Sequence, residues 1–380
     1  MNTSSNTSST TRRNRPAGRR RHLVGGAAAL ASVTVLAGVP AAGAGGGGSV
    51  VLPGPAFDIT ATPSGSVLVG VGGTVHEITR SGLVEIAEVP STAGTPVNGL
   101  AARGARSAFA ASAGVNEGAG GAVWQVTAGG ARTIADIQAY ELEHDPDVRL
   151  GDRWKHPDCE VLPLPDGTIG SPGPQSNPYK LTRVAGDEVL LADAAGNTVL
   201  SVRQDGTVEL VAVLDPPVDE NGNWRELFTL EDGTPCYVQP VATAVAMGPD
   251  GAVYVGELTG EPAVPGWSRI WRIDPGARGV TCPSDECAVA VDGRTSVVDL
   301  EFAPDGDLLV VELEQAGWLA GPEDAVGGAV LTCDVETGGC RTIEDGLPTP
   351  NAVTVGRHGQ LWLLENILGA GPTVRPLNAP

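Results

Sequence analysis

Acidic and amide side chains recur at matching points of a repeated strand pattern. Four acids close apolar segments and two asparagines precede them: Asp193, Glu257, Glu312, Glu365, Asn177 and Asn351. Carboxylate and amide oxygens are the ligands that Ca²⁺ prefers, and it takes about six to eight of them. If the fold carries these residues to one point, the sequence predicts a calcium site there.

Other polar and aromatic residues occupy related positions and are candidate ligand-binding residues. Asp58, Asn98 and Asp299 lie at the starts of strand-like segments, and Trp267 and Trp318 lie in the loops that follow others. Asp and Asn also cap turns and bond their own backbone. A purely structural role for the polar residues therefore competes with ligand binding.

A sequence repeat must position these residues. Its clearest copies are residues 244–257, 299–312 and 352–365, each with two apolar runs around a tight turn. In the first two copies the turn is Pro-Asp-Gly, at residues 249–251 and 304–306. Proline presets φ and glycine accepts positive φ, while β-branched flanks favour strands. The pattern predicts β-hairpins.

Six copies of the unit are present, and they begin near residues 56, 97, 178, 241, 298 and 350. Four strands in each of six units predict an all-β fold, a six-bladed β-propeller in a single domain over 45–380. The last unit is short of strands, so an N-terminal strand near residues 49–52 should complete it and close the ring. Seven blades and a β-sandwich are the alternatives.

Propeller geometry sorts the loops between two faces. First strands run down the channel and second strands return, so first-strand starts and second-strand ends share one face, here called the top face. Long insertions at 138–175 and 215–239 lie on it. Trp154, Trp224, Trp267 and Trp318 belong to top-face loops. Because binding sites are commonly built on loops of a rigid scaffold, this face is the predicted binding face.

Four sequence stretches resemble the ScyD/ScyE family of exported propeller proteins over about residues 50–370. They are Ser176–Tyr179, Ala192–Asn197, Pro249–Gly260 and Val298–Leu300. The sequence departs from the family at Lys180, where glycine is expected, and in the two insertions. The resemblance implies an exported propeller without implying a settled activity.

Six cysteines fit an oxidising compartment. Proximity favours pairing Cys282 with Cys287 and Cys333 with Cys340, which leaves Cys159 for Cys236. Fifteen connectivities are available to six cysteines. Zinc is the weaker alternative, because the sequence contains no Cys-x2-Cys pair.

The first 44 residues are expected to form a cleaved signal peptide. An Arg-rich start precedes an apolar run over residues 23–39 and the small residues Ala42-Gly43-Ala44. Cleavage leaves 18 basic and 45 acidic residues, a net charge of −27. Such a charge disfavours nucleic acid as a partner. A secreted protein without a transmembrane anchor is expected.

The sequence therefore predicts an exported scaffold that binds a small polar ligand or a protein through an acidic top face. The alternative is a cation-dependent hydrolase of the lactonase-like propeller type. No catalytic residue can be assigned from the sequence, and Ca²⁺ is the one cofactor it suggests. A metal that keeps an open coordination position beside a proton-handling group would distinguish the two functions.

Overall fold

The computed structural model describes residues 48–90, 95–112, 121–149, 156–159, 162–163, 169–170, 173–184 and 186–377. These residues form six sheets of four or five strands in a ring, so the predicted six-bladed propeller is confirmed. The predicted signal peptide and Trp154 lie outside the described residues. None of the described helices has the length and apolar character needed to span a bilayer.

The first two blades follow a short strand, β1 (Val50–Val51). Blade one contains β2 (Ile59–Ala61), β3 (Val67–Val71), β4 (Thr74–Thr79) and β5 (Gly82–Glu88). Blade two contains β6 (Val97–Gly104), β7 (Ser107–Ser112), β8 (Ala122–Thr127) and β9 (Gly130–Asp136).

The first insertion separates blades two and three. It contains helices α1 (Ile137–His144) and α2 (Pro146–Arg149), a single 3₁₀ turn at Pro157–Cys159, and the hairpin β10 (Leu162–Pro163) and β11 (Ile169–Gly170). Asp136 begins α1, because its side chain accepts a hydrogen bond from Ala139 N. Asp145 ends the helix in the left-handed conformation.

Blade three contains β12 (Pro178–Arg183), β13 (Glu188–Asp193), β14 (Thr198–Arg203) and β15 (Val208–Leu214). The second insertion follows it with the hairpin β16 (Glu226–Thr229) and β17 (Pro235–Tyr237). Cys159 and Cys236 form a disulfide, so the two insertions are covalently joined.

Blade four contains β18 (Ala242–Met247), β19 (Val253–Glu257), β20 (Ser268–Ile273) and β22 (Cys287–Arg294). Between its last two strands, β21 (Val280–Cys282) pairs in parallel with β15 of blade three. Blade four therefore supplies a fifth strand to its neighbour. The disulfide Cys282–Cys287 joins β21 to β22.

Blade five contains β23 (Val297–Phe302), β24 (Leu308–Glu312), β25 (Gly328–Cys333) and β26 (Cys340–Leu347), and Cys333 pairs with Cys340. Blade six contains β27 (Ala352–Val355), β28 (Leu361–Glu365) and β29 (Thr373–Leu377). All three predicted disulfides are therefore confirmed.

Ring closure also follows the sequence prediction. Val50 and Val51 pair antiparallel with Val374 and Thr373, so β1 is the fourth strand of blade six. The Pro-Asp-Gly turns end in Gly251 and Gly306 at φ of 79° and 98°. Residues with a side chain rarely adopt such positive φ values, so glycine is strongly favoured at both positions.

The innermost strand of every blade shows one burial gradient. Its first residues are buried and its last are partly exposed, as in β6, β12 and β23. The same pattern holds in β2, β18 and β27. The channel is therefore closed toward the top face and more open toward the hairpin turns.

Candidate functional site

The two acids at first-strand starts connect neighbouring blades. Asp58 Oδ2 accepts a hydrogen bond from Leu100 N of blade two at 2.6 Å. Asp299 Oδ2 accepts one from Val353 N of blade six at 2.8 Å. Both aspartates are buried. Each carboxylate thus lies over the first strand of the next blade and holds the two strands in register.

Lys180 completes this network across the channel. Its Nζ donates to Asp58 Oδ1 at 2.5 Å and to Phe57 O at 2.8 Å, and the side chain is buried. In sequence Lys180 was only a departure from a family pattern. A buried carboxylate needs a compensating charge, and Lys180 supplies it from blade three to blade one.

The three asparagines are also engaged near the axis. Tyr179 donates its hydroxyl hydrogen to Asn351 Oδ1 at 2.9 Å, while Asn351 Nδ2 donates to Phe57 O. Asn98 Nδ2 donates to Asn177 Oδ1 at 3.3 Å. These contacts join blades three, six, one and two below the top face.

Two channel acids have pKa values shifted toward neutrality. Burial is the largest cause that raises the pKa of Asp299 to about 7; the charge on Lys180 opposes it and that on Asp58 adds to it. Burial, with the charges on Asp299 and Asp58, raises the pKa of Glu301 to about 8. Glu301 lies two residues further along β23 and is partly exposed.

The four second-strand acids bond to different partners. Glu257 forms a bidentate pair with Arg269, and Trp271 Nε1 donates to Glu257 Oε2 at 3.1 Å. Glu365 pairs with Arg375 through contacts of 2.8 and 3.2 Å. These contacts lie within blades four and six.

Glu312 accepts a hydrogen bond from Thr295 N at 2.9 Å. Asp193 Oδ1 accepts from Asn177 N at 2.6 Å and from Gly196 N at 3.2 Å. Within the described ranges, no three of the four second-strand acids have oxygens within 4.8 Å of one another. Their role as a common set of calcium ligands stays a prediction.

The two candidate tryptophans attach top-face loops. The Arg225 guanidinium lies 4.1 Å from the ring centre of Trp267, which joins the second insertion to the loop after Glu257. Trp318 Nε1 donates to Thr259 O at 2.9 Å. Both rings are half-buried. These contacts make the loop surface rigid, and ligand binding by the exposed ring edges stays a prediction.

A different acidic cluster lies where the first insertion meets blade three. Carboxylate oxygens of Glu141, Asp145 and Asp147 lie within 4.8 Å of one another. Asn197 Nδ2 donates to Asp147 Oδ2 at 2.9 Å, which fixes the insertion to blade three. Burial, together with the charge on Asp147, raises the pKa of Asp193 to about 6.

Sequence reasoning did not assign a role to this cluster. The available signal was the spacing of Glu141, Asp145 and Asp147 across the end of a short helix. Residues four apart on a helix share a face, so Glu141 and Asp145 could have been paired. Their approach to Asp193 depends on how the insertion packs.

No protein-family model matches the sequence, and no curated protein sequence is significantly similar to it. Among solved structures, the soluble aldose sugar dehydrogenase of Escherichia coli is 12% identical, with 86% of this chain and 97% of that chain covered and a TM-score of 0.50. This likeness shows the β-propeller fold alone. Membership of the ScyD/ScyE family stays a prediction.

Two further structures are more distant. Virginiamycin B lyase of Staphylococcus aureus is 15% identical over 83% of this chain and 80% of that chain, with a TM-score of 0.39. A chain of the nidogen/laminin complex is 12% identical over 79% of this chain and 85% of that chain, with a TM-score of 0.46.

Proposed function

We propose that this chain is an exported, ScyD/ScyE-like binding propeller that engages a protein partner through its top face. The observation that carries the proposal is the distribution of exposed aliphatic side chains. Five of the eight in the described part of the chain belong to top-face connections: Leu142, Val218, Leu319, Val326 and Leu368. Exposed apolar side chains grouped on one face are typical of protein-binding surfaces.

The charge of the same loops defines the partner. Exposed acids accompany the aliphatic residues: Glu143, Glu220, Glu323 and Asp324. An acidic rim attracts a basic protein surface and repels another acidic one. We therefore infer a partner whose contact surface combines lysine or arginine with apolar side chains.

The rigidity of the loops supports binding rather than only solubility. The disulfide between Cys159 and Cys236 joins the two insertions, and Arg225 stacks on Trp267. A preorganised surface loses less conformational entropy when it binds. The disulfides also agree with an oxidising, extracytoplasmic compartment.

A comparison of matched double variants tests this function. Leu319→Ser with Val326→Ser alters the top face, while Val84→Ser with Val289→Ser alters exposed positions on outer strands. Each protein is immobilised and exposed to the exported proteins of the source organism. A basic protein retained by wild type and the outer-strand variant, but lost from the top-face variant, is the expected result.

The retained protein is then purified and its Kd measured at low and high salt. Weaker binding at high salt and at least tenfold weaker binding to the top-face variant support the proposal. Retention that does not differ between the two double variants contradicts it.

One observation favours a hydrolase as the second candidate. Asp299 and Glu301 have pKa values near 7 and 8 in a channel that opens toward Glu301, so they are able to exchange protons near neutral pH. The test of this candidate is the rate at which wild type and Glu301→Gln hydrolyse p-nitrophenyl acetate and a simple lactone, with and without Ca²⁺. Equal rates for both proteins remove this candidate.

A further inference from the structure

The junction of the first insertion with blade three holds a compact group of oxygens. Glu141 and Asp147 are buried and Asp145 is half-buried, and one oxygen from each lies within 4.8 Å of the others. Ca²⁺ binds oxygens at about 2.3–2.6 Å, so ligands on opposite sides of the ion are about 5 Å apart. The spacing of these three oxygens suits one such ion.

Blade three supplies an independent sign of a ligand at the same place. Thr198 Oγ1 and Asp193 Oδ2 are buried and make no hydrogen bond within the described part of the chain. A buried hydroxyl or carboxylate oxygen without a partner costs free energy, and native structures rarely leave one so. A cation bound at this junction would satisfy such an oxygen.

Gly196 shows that Thr198 and Glu141 face one another. A Cβ atom added at Gly196 would lie 3.2 Å from Thr198 Oγ1 and 3.2 Å from Glu141 Oε2. The Thr198 hydroxyl and the Glu141 carboxylate therefore border the same space beside Gly196. A larger residue at position 196 would occupy the space between the two oxygens.

Four hydrogen bonds hold the ligand-bearing segments in place. Asn197 Nδ2 donates to Asp147 Oδ2, and Asn197 Oδ1 accepts from Val241 N at 3.0 Å, so contacts with blade three and the start of blade four fix the start of α2. Asp193 Oδ1 accepts from Gly196 N and Asn177 N, which orients the carboxylate. The oxygens are thus positioned before any ion arrives.

From this arrangement we propose a Ca²⁺ site formed by Glu141, Asp145, Asp147 and Asp193, with the Thr198 hydroxyl as a neutral ligand. An irregular group of carboxylates favours Ca²⁺ over Mg²⁺, which requires near-octahedral geometry and keeps most of its water. The ion fastens the first insertion to blade three. The proposal does not depend on partner binding at the top face.

Glu141→Gln is the principal test variant, because it removes one ligand charge with little change of shape. Glu143→Gln is its matched control on the same helix, where the side chain is exposed. The chain is stripped with EDTA, then titrated with Ca²⁺ up to about 5 mM, which covers extracellular affinities. Native mass spectrometry gives the stoichiometry and thermal unfolding gives the linked stabilisation.

The expected result is one Ca²⁺ per wild-type chain and a melting temperature that rises with Ca²⁺. Glu143→Gln should match wild type, whereas Glu141→Gln should bind at least tenfold more weakly. Absence of Ca²⁺ binding by wild type, or unchanged affinity in Glu141→Gln, overturns the proposal.

Thr198→Val is the second test variant, and it tests the site even if Glu141→Gln does not fold. It replaces the hydroxyl with a methyl group of similar volume. Without metal the variant should melt at or above the wild-type temperature, because a buried hydroxyl without a partner is removed. With Ca²⁺ its melting temperature should rise less than that of wild type. An equal rise in both proteins contradicts the role of Thr198 as a ligand.

Discussion

The channel and the first insertion both bury acids, but they treat them differently. At the axis, Asp58 is neutralised by Lys180, and Asp299 accepts a hydrogen bond from the next blade. At the insertion, Asp193 Oδ2 and Thr198 Oγ1 make no hydrogen bond within the described residues. The axial acids join neighbouring blades, whereas the insertion carries the cation site proposed above.

The difference shows how position alone misleads about function. Asp58 and Asp299 lie near first-strand starts and Asp193 lies at a second-strand end, so the repeat places all three toward the top face. Only the surroundings decide whether a carboxylate binds blades together or remains available to a ligand. The two regions should therefore differ in how substitutions change the free energy of unfolding and the stabilisation by Ca²⁺.

The largest expected effect concerns the bond between the insertions. Cys159 and Cys236 are 77 residues apart, against 7 for Cys333 and Cys340. On the chain-entropy model the long bridge contributes about 4–5 kcal/mol and the short one about 2–3 kcal/mol. Urea unfolding of the two Cys→Ser double variants should show the larger loss for Cys159/Cys236. An equal loss would contradict this account of the insertion.

The axial ion pair should come next. Lys180→Met leaves the buried Asp58 without its cation and should cost about 3–5 kcal/mol. Adding Asp58→Asn should restore much of the loss, because the uncompensated charge is removed. Arg203→Met breaks an exposed pair with Glu209 and serves as the control, with a change below about 1 kcal/mol. Urea unfolding gives the free energy of unfolding of wild type and of these three variants. A loss in Lys180→Met no greater than that of the control argues against an axial role for Lys180.

Gly196→Ala should separate the metal response from basal stability. The added methyl group intrudes between Thr198 and Glu141. At 5 mM Ca²⁺ and a Kd of about 0.1 mM the linked stabilisation is about 2 kcal/mol, and the variant should lose most of it. Gly104→Ala is the control, since no atom lies within 4 Å of its Cβ position. Thermal scans with EDTA or Ca²⁺ measure the effect, and a full Ca²⁺ response in Gly196→Ala would place the ion elsewhere.

The smallest expected effect is a pH dependence of the axis. The folded-state pKa of Glu301 is about 8, above the unfolded value near 4.3, so the folded chain binds more protons between these limits. Stability should therefore fall as pH rises from about 4 through 8. Glu301→Gln should flatten the decline by on the order of 1 kcal/mol, because partial exposure screens the charge. Melting temperatures of both proteins from pH 5 to 8.5 measure it, and parallel curves would contradict the shift.

The fold could be predicted because its signals are local. Gly251 and Gly306 mark turns whose geometry depends on neighbouring residues, and the alternation of apolar strands repeats around them. The count of predicted strands left blade six one strand short, and this alone predicted that β1 completes it. The disulfides followed from short spacing and from elimination, which also need no tertiary detail.

The sites could not be predicted to the same extent, because their contacts cross between units. Lys180 reaches Asp58 over 122 residues of sequence, and no periodicity reveals that bond. Asp193 was singled out from the repeat, but its position near Asp147 depends on how the insertion folds back. The sequence indicated which side chains were unusual without giving their partners.

The parallel strand β21 limits how the ring can be divided into independent repeats. By sequence it belongs to blade four, but by hydrogen bonding it belongs to blade three. Duplication or exchange of single repeats requires that each repeat carry all its own strands. Blades three and four do not meet that requirement, so they would have to be exchanged together, and a fragment that ends between them would leave blade three without its fifth strand.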